Sequence, residues 1–393
     1  MNRPHAHTSL YALAACTLLA TAACGSSSST GNNQSSTYVV GVVAALTGSE
    51  ASADAGMVRA IELAADQANA SGGVLGHKIV LQEQDEACSP PTAVNAANKL
   101  IELGVKAVVG SFCSGAALVM EPIYARANIP FVIAGADSPA LVAGKYHNVA
   151  QSVGDFTSEV PSMNYLVTHI LSVTKVGVAD DQSAFGKGIA DAMASGLQGS
   201  GVHVDRQSVS ATQNDFSAVL QSFANANDGA ILWTGYYAQA VNLILQLRQS
   251  GSHVPFIVTD AANVDSYIQG AGANANGTYA TSSPATGFFK SAATFITDYQ
   301  KKYGQAADTY SVLGYDAMNT LLQAVKHAGT TDPSKVIAAL HQISFIGATG
   351  PISFDANGRR NIGVFPIEQV VSNAWALTPQ QTPAIAQFLQ TGS

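Results

Sequence analysis

The chain has 393 residues, of which 47% are hydrophobic and 11% charged, with a formal net charge of −8. That balance excludes wholesale disorder, and 18 Lys and Arg against 26 Asp and Glu leave no basic excess for a nucleic-acid backbone. The length suggests about two or three domains, and a multi-span membrane protein is excluded because the one long apolar run stands at the N-terminus.

That run, residues 10–23 (LYALAACTLLATAA), follows Arg3 and has the length of a secretory signal's apolar region, short for a span. Ala22 and Ala23 then precede Cys24, and residues 25–36 (GSSSSTGNNQSS) have the composition of a solvated tether. The arrangement resembles a bacterial lipoprotein box, with Thr21 where Leu is usual. The upstream Leu13-Ala14-Ala15-Cys16 is rejected, because too few apolar residues precede it. The expectation is therefore a signal peptide over 1–23 and a lipidated Cys24 with its tether over 24–37; the alternative is an ordinary cleaved signal with a free product. Of the four Cys, Cys88 and Cys113 then remain as one pair in an oxidising compartment. A disulfide closing a loop of about 25 residues would contribute roughly 3 kcal/mol. Without CxxC or a nearby His, a metal site is not expected there.

The body alternates strand and helix. Residues 38–46 (YVVGVVAAL) read as a strand buried on both faces. A helix over 56–70 ends at Gly72-Gly73. Strands at 78–84, 106–110 and 130–134 alternate with helices at 92–103 and 116–127. A second series begins near Gly154, with strands at 175–179, 203–209, 230–234 and 255–259 and helices at 186–197, 216–226 and 237–249. Helices at 292–303, 310–328 and 333–342 follow, then a hairpin-like region from Gly350 with a turn at Asp355-Ala356-Asn357-Gly358. Arg359-Arg360 is expected to be solvated in that turn. The alternation predicts an α/β fold of parallel sheets covered by helices. Such sheets bind ligands beyond the C-terminal ends of their strands. The Gly186-Lys187-Gly188 stretch lacks P-loop spacing, and neither HExxH nor GxSxG occurs, so no enzyme chemistry and no cofactor are expected.

Several segments resemble the leucine/isoleucine/valine-binding protein family, the type 1 periplasmic binding proteins that serve branched-chain amino-acid ABC transporters. They are Asp85–Cys88 (DEAC), 93–100 (AVNAANKL), 104–110 (GVKAVVG), Cys113-Ser114, Ile129-Pro130 and 138–141 (SPAL). Thr47-Gly48, 70–76, 185–188, 214–216, 314–317 and 350–352 also fit, so that the resemblance runs from about 38 to 377. It implies a two-lobed fold, each lobe a parallel sheet flanked by helices, joined by three hinge crossovers. Lobe one would be 38–154 plus 285–348 and lobe two 155–284 plus 349–377, with 378–393 a tail. It also implies an extracytoplasmic, monomeric, lipid-anchored protein that binds a small solute and delivers it to a permease. A ligand sensor working through a membrane partner is the alternative.

The resemblance carries over site residues one by one. Ser114 matches a family Ser that holds the ligand α-carboxylate at a helix N-terminus, unless it serves only as the N-cap. Gly135 matches a position whose carbonyl accepts from the ligand ammonium. Asp137 stands where the family has Thr; it either binds a cationic group or caps the helix at Ser138-Pro139. Asp260 matches the Glu that pairs with the ammonium. Tyr236 and Phe185 would cover the ligand, and Phe112 and Tyr310 would line the side-chain pocket or simply join the core. Ala53 replaces a family aromatic and leaves more room. The expected ligand is an amino acid or a related amine.

Overall fold

The computed structural model describes residues 36–283, 288–361 and 365–391. The expected signal peptide, Cys24 and nearly all of the tether lie outside the described residues.

The first apolar run forms β1 (Thr37–Ala44), and α1 (Ala51–Ala70) follows. Helix α1 starts at Ala51 rather than at residue 56, because the alanine-rich first turns favour helix without showing apolar periodicity. Then come β2 (Lys78–Asp85), α2 (Pro90–Glu102), β3 (Ala107–Gly110), α3 (Ser114–Arg126), β4 (Phe131–Ile133) and β5 (Val149–Gln151). These strands make one parallel sheet in the order β2-β1-β3-β4-β5, with Val42 of β1 opposite Glu83 of β2 and Val109 of β3. Strand β5 is three residues of small or polar character (VAQ), without the apolar run that reveals the equally short β4.

The chain then builds α4 (Val160–Tyr165), which runs into a π-turn at Leu166–Ile170. Strand β6 (Lys175–Asp180), α5 (Ala184–Gly199), β7 (His203–Ser208), α6 (Ser217–Ala226) and β8 (Ala230–Trp233) follow. After them come α7 (Tyr237–Gln249), β9 (Phe256–Val258), α8 (Asp265–Ala271) and β10 (Tyr279–Thr281). These five strands run parallel in a second sheet.

The rest of the chain serves both sheets. Helices α9 (Ala293–Tyr303), α10 (Thr309–Ala328) and α11 (Pro333–Leu340) return to the first, α10 lying along α1 and against β3 and β4. The approach is close enough that a Cβ on Gly314 would stand 2.4 Å from the Met57 carbonyl oxygen. The hairpin β11 (Ser344–Gly347) and β12 (Gly350–Ser353) comes next. Strands β13 (Ile367–Val371) and β14 (Ala374–Leu377) then extend the second sheet to β14-β13-β10-β9-β8-β6-β7. Both are antiparallel, so this sheet is mixed; the two-residue turn at Ser372-Asn373, both at positive φ, permits only a hairpin. Helix α12 (Pro383–Thr391) seats Ile385 and Phe388 beside Phe289.

The segment from Gly350 departs from expectation. The turn at 355–358 exists, bracketed by a bridge between Phe354 and Arg360, but β12 takes β11 as its partner. Arg359 and Arg360 are not a solvated pair. Arg359 Nε lies 2.8 Å from Asp155 Oδ2. Arg360 is 4% exposed and donates to the carbonyls of Ser152, Thr349 and Pro351 and to Thr349 Oγ1. A guanidinium's fan of donors suits a buried place where several carbonyls converge.

Candidate functional site

Most of the polar side chains between the sheets follow the C-terminal ends of parallel strands, where α/β folds place their ligands. Glu50 and Asp54 follow β1, Glu86 follows β2, and 111–114 follow β3. Gly135 and Asp137 follow β4, Asp155 and Glu159 follow β5, Asp181 and Phe185 follow β6, Tyr236 follows β8 and Asp260 follows β9.

Helix α3 is pinned at its start by the disulfide between Cys88 and Cys113. Cys113 occupies its cap position, so Ser114 is not the N-cap; it is the first helical residue and buried. Its Oγ accepts from the Ser138 N–H at 3.3 Å. Beneath the same turn, Glu86 Oε1 accepts from the Cys113 N–H at 3.5 Å. Burial pushes the Glu86 carboxyl up to about 7 against the pull of the Ser111 hydroxyl and two N–H groups.

Ser114 leads through Ser138 to Asp137. Asp137 does not cap the short helix at Pro139; Ser138 does, accepting from the Ala140 N–H at 3.4 Å. The Asp137 side chain, 2% exposed, turns inward, and its Oδ2 has no hydrogen-bond partner. There it meets Glu159 and Asp260: one oxygen from each of the three lies within 4.8 Å of the others, close enough to share one cation. Glu159 Oε1 accepts from the Asp260 N–H at 3.2 Å and from Thr281 Oγ1, while Oε2 is buried without a partner. Asp260 Oδ2 accepts from Ser283 Oγ at 2.5 Å.

Three carboxylates at this spacing cannot all ionise without a cation. Burial, and then Asp260 and Glu159, hold the Asp137 carboxyl well above its ordinary range. Burial and Asp260 do the same to Glu159. Asp260 is pushed up to about 6 by burial, with Ser283, the Ala261 N–H and the Tyr310 hydroxyl pulling it back. None of the ion pairs among the described residues involves any of the three.

The aromatic residues form one wall. Phe112 meets Tyr310 edge-on at 4.6 Å between centroids and Tyr236 at 5.7 Å, and Tyr236 meets Phe185 at 5.4 Å. Gly135 fits between Phe112 and Tyr310; a Cβ there would stand 3.3 to 3.4 Å from both. Direct bonds join the elements on either side. The Tyr237 hydroxyl donates to the Ser49 carbonyl at 2.6 Å and lies 2.5 Å from Ser52 Oγ, which is 2.9 Å from Ser266 Oγ. A surface groove of about 1060 Å³ between α6 and α7 includes none of these carboxylates among its lining residues.

Thus Ser114, Gly135, Asp137, Asp260, Tyr236, Phe185, Phe112 and Tyr310 converge on one region. Sequence reasoning missed Glu159, Glu50, Asp54, Glu86 and Asp181. Glu86 and Asp181 stand at the ends of expected strands and were within reach of that rule. Glu159 follows β5, which gave no periodic signal.

The family model for periplasmic binding proteins matches residues 37–374. A Leu/Ile/Val-binding protein homolog from Brucella abortus is 29% identical over 324 residues, covering 81% of this chain and 86% of its own length. The crystal structure of a leucine-binding protein from Thermotoga maritima superimposes with a TM-score of 0.81 at 24% identity, over 88% of this chain and 99% of the other. A solute-binding protein of an ABC transporter from R. palustris, crystallised with benzoate, has the same fold: TM-score 0.78, 17% identity, 87% of this chain and 95% of that one.

Proposed function

The chain belongs to the periplasmic binding protein family, and on that premise we propose that it is an extracytoplasmic solute-binding lipoprotein of an ABC importer. It binds an amino acid or related small amine between two lobes, 38–154 plus 285–348 and 155–284 plus 349–377, and hands it as a monomer to the permease. Cys24 carries the lipid that holds it at the membrane. The family's members bind solutes rather than transform them.

The observation that carries the ligand class is the meeting of Asp137, Glu159 and Asp260 within 4.8 Å, buried and without a cationic partner. Asp137 comes from one proposed lobe, Glu159 and Asp260 from the other. Unpaired buried carboxylates are costly, and an ammonium placed among them supplies the missing charge and donors. Gly135 offers its carbonyl, and Ser114 with the start of α3 receives a carboxylate where the solute has one. Tyr236, Phe185, Phe112 and Tyr310 enclose the rest.

Titration calorimetry with a panel of amino acids and amines tests this. A charge-assisted bond contributes roughly 1.5–3 kcal/mol, so Asp260→Asn should weaken the best ligand by about 10- to 150-fold. Heat from no amine in the panel would reject the ligand class.

A further inference from the structure

Asp137, Glu159 and Asp260 are each fixed by bonds that leave a carboxylate oxygen free. Gln151, fully buried at the end of β5, donates through Nε2 to the carbonyls of Ala136 and Ser138 at 3.0 Å each, and so brackets Asp137 on both sides. The Asp137 carbonyl accepts from the Phe156 N–H at 3.0 Å, which ties this loop to the segment that leads to Glu159. Glu159 accepts through Oε1 from the Asp260 N–H and the Thr281 hydroxyl, and Asp260 accepts through Oδ2 from the Ser283 hydroxyl. Asp137 Oδ2, Glu159 Oε2 and Asp260 Oδ1 remain, all buried and all without a hydrogen-bond partner.

A carboxylate with one oxygen hydrogen-bonded and the other free is oriented as a metal ligand is. Buried acceptors left without donors mark a place completed by something bound. The converging donors are carboxylates alone, with no Cys or His among them, which selects a hard cation. Oxygens within 4.8 Å of one another surround a point about 2.8 Å or less from each, and calcium takes its oxygens at about 2.3–2.6 Å in irregular geometry. Magnesium asks for about 2.0–2.1 Å, a near-ideal octahedron and several of its own waters, which suits side chains at most 2% exposed poorly. Charge points the same way. One ammonium balances one of the three carboxylates, whereas a divalent ion balances two.

We propose that Asp137, Glu159 and Asp260 hold a calcium ion when no amine is bound, and that the ion and the solute exclude each other. The metal site stands on the three carboxylates alone; the exclusion rests on the reading of the cleft as an amine site. Asp137 stands on one proposed lobe and Glu159 and Asp260 on the other, so the ion bridges the lobes in the place where the ammonium would. Calcium then regulates the cleft by competing for it.

The mature chain, freed of metal with EDTA and dialysed, should be titrated at pH 7.5 with calcium chloride, magnesium chloride, butylamine and L-leucine. The expected result is one calcium ion per chain, bound at least about 10-fold tighter than magnesium, with a melting temperature that calcium raises. Asp137→Asn and Asp260→Asn should each weaken calcium by at least about 10-fold, since losing a mere supporting partner of a metal ligand costs about that much. They should also abolish the calcium-dependent rise in melting temperature. Glu159→Gln provides the same test should either variant fail to fold, as checked by circular dichroism. No calcium binding, or calcium bound as well by these variants as by the unaltered chain, would overturn the site, the second result placing the ion on the surface. Magnesium bound as tightly as calcium overturns the choice of ion. Butylamine or L-leucine bound in the absence of any calcium binding leaves the amine reading in place and removes this one; calcium bound with neither amine does the reverse. An amine affinity unmoved by saturating calcium overturns the exclusion.

Discussion

At the scale of single residues, burying the carboxyls of the cleft costs stability once they ionise. Glu50 and Glu86 are pushed up to about 7 and Asp260 to about 6, burial being the first cause in each. In the unfolded chain such groups titrate near about 4. Between about pH 4 and 7 the folded protein therefore holds more protons than the unfolded chain, and stability falls as pH rises through that window. The ligand-free protein should melt at a higher temperature at pH 5 than at pH 7.5 when followed by circular dichroism; the opposite slope would show that these carboxyls are not strained. Glu159→Gln, which removes a titratable carboxyl but keeps an acceptor oxygen, should flatten part of the slope and weaken binding of the proposed amine. A cationic ligand prefers the ionised carboxylates, so its binding should release protons. That release would appear as a calorimetric enthalpy that varies with the buffer.

At the scale of elements, the segment around the 355–358 turn does more than close a hairpin. Through Arg360 it gathers the carbonyls of Ser152, Thr349 and Pro351, and Arg359 adds a contact to Asp155. Residues 152–155 and 349–351 lie where the chain passes between its two sheets. Asp316 on α10 accepts from the N–H groups of Ala348 and Thr349, fixing the second passage from the other side. Arg360→Met keeps the apolar stem but strands these acceptors, and should cost about 2–4 kcal/mol in urea unfolding. A loss below about 0.5 kcal/mol would mean that the passages hold without it. None of this was legible in the sequence, because two adjacent arginines beside a turn look the same whether solvated or surrounded by carbonyls. The strands were legible for the opposite reason. Runs such as 38–44 and 230–233 are apolar throughout because both faces of a parallel sheet are covered. Strands β5 (VAQ) and β10 (YAT) lack the large apolar runs that made the equally short β4 (FVI) and β9 (FIV) legible.

At the scale of the whole molecule, several direct bonds among the described residues join elements of the two proposed lobes. The Tyr237 hydroxyl touches Ser49 and Ser52 from the other side, and Ser52 reaches Ser266. With net values of about 0.5–1.5 kcal/mol per bond, Tyr237→Phe should favour an open form by about 1–2 kcal/mol. The expected readouts are a larger radius of gyration in small-angle scattering without ligand and an affinity lower by about 5- to 30-fold. Unchanged scattering and affinity would assign closure to the ligand alone. Such a hinge motion is a recognised way for two-lobed proteins to respond to a bound solute.

What the sequence determined by itself was the alternating α/β architecture, the order of most elements, the Cys88–Cys113 pairing and the family. Each is written in local apolar periodicity or in short motifs whose order survives divergence. Ser114, Asp137, Tyr236 and Asp260 were singled out by the family resemblance and by their places after strand ends. Only the tertiary structure decided which charges face one another. Asp54, Glu86, Asp137, Glu159 and Asp260 are far apart along the chain and look like ordinary polar residues there; their distances, burial and missing partners arise when strand ends from two sheets are brought together. The character of the cleft is therefore a property of the packed molecule, because electrostatic cost depends on separation and solvent exclusion, and neither is encoded in any local stretch of sequence.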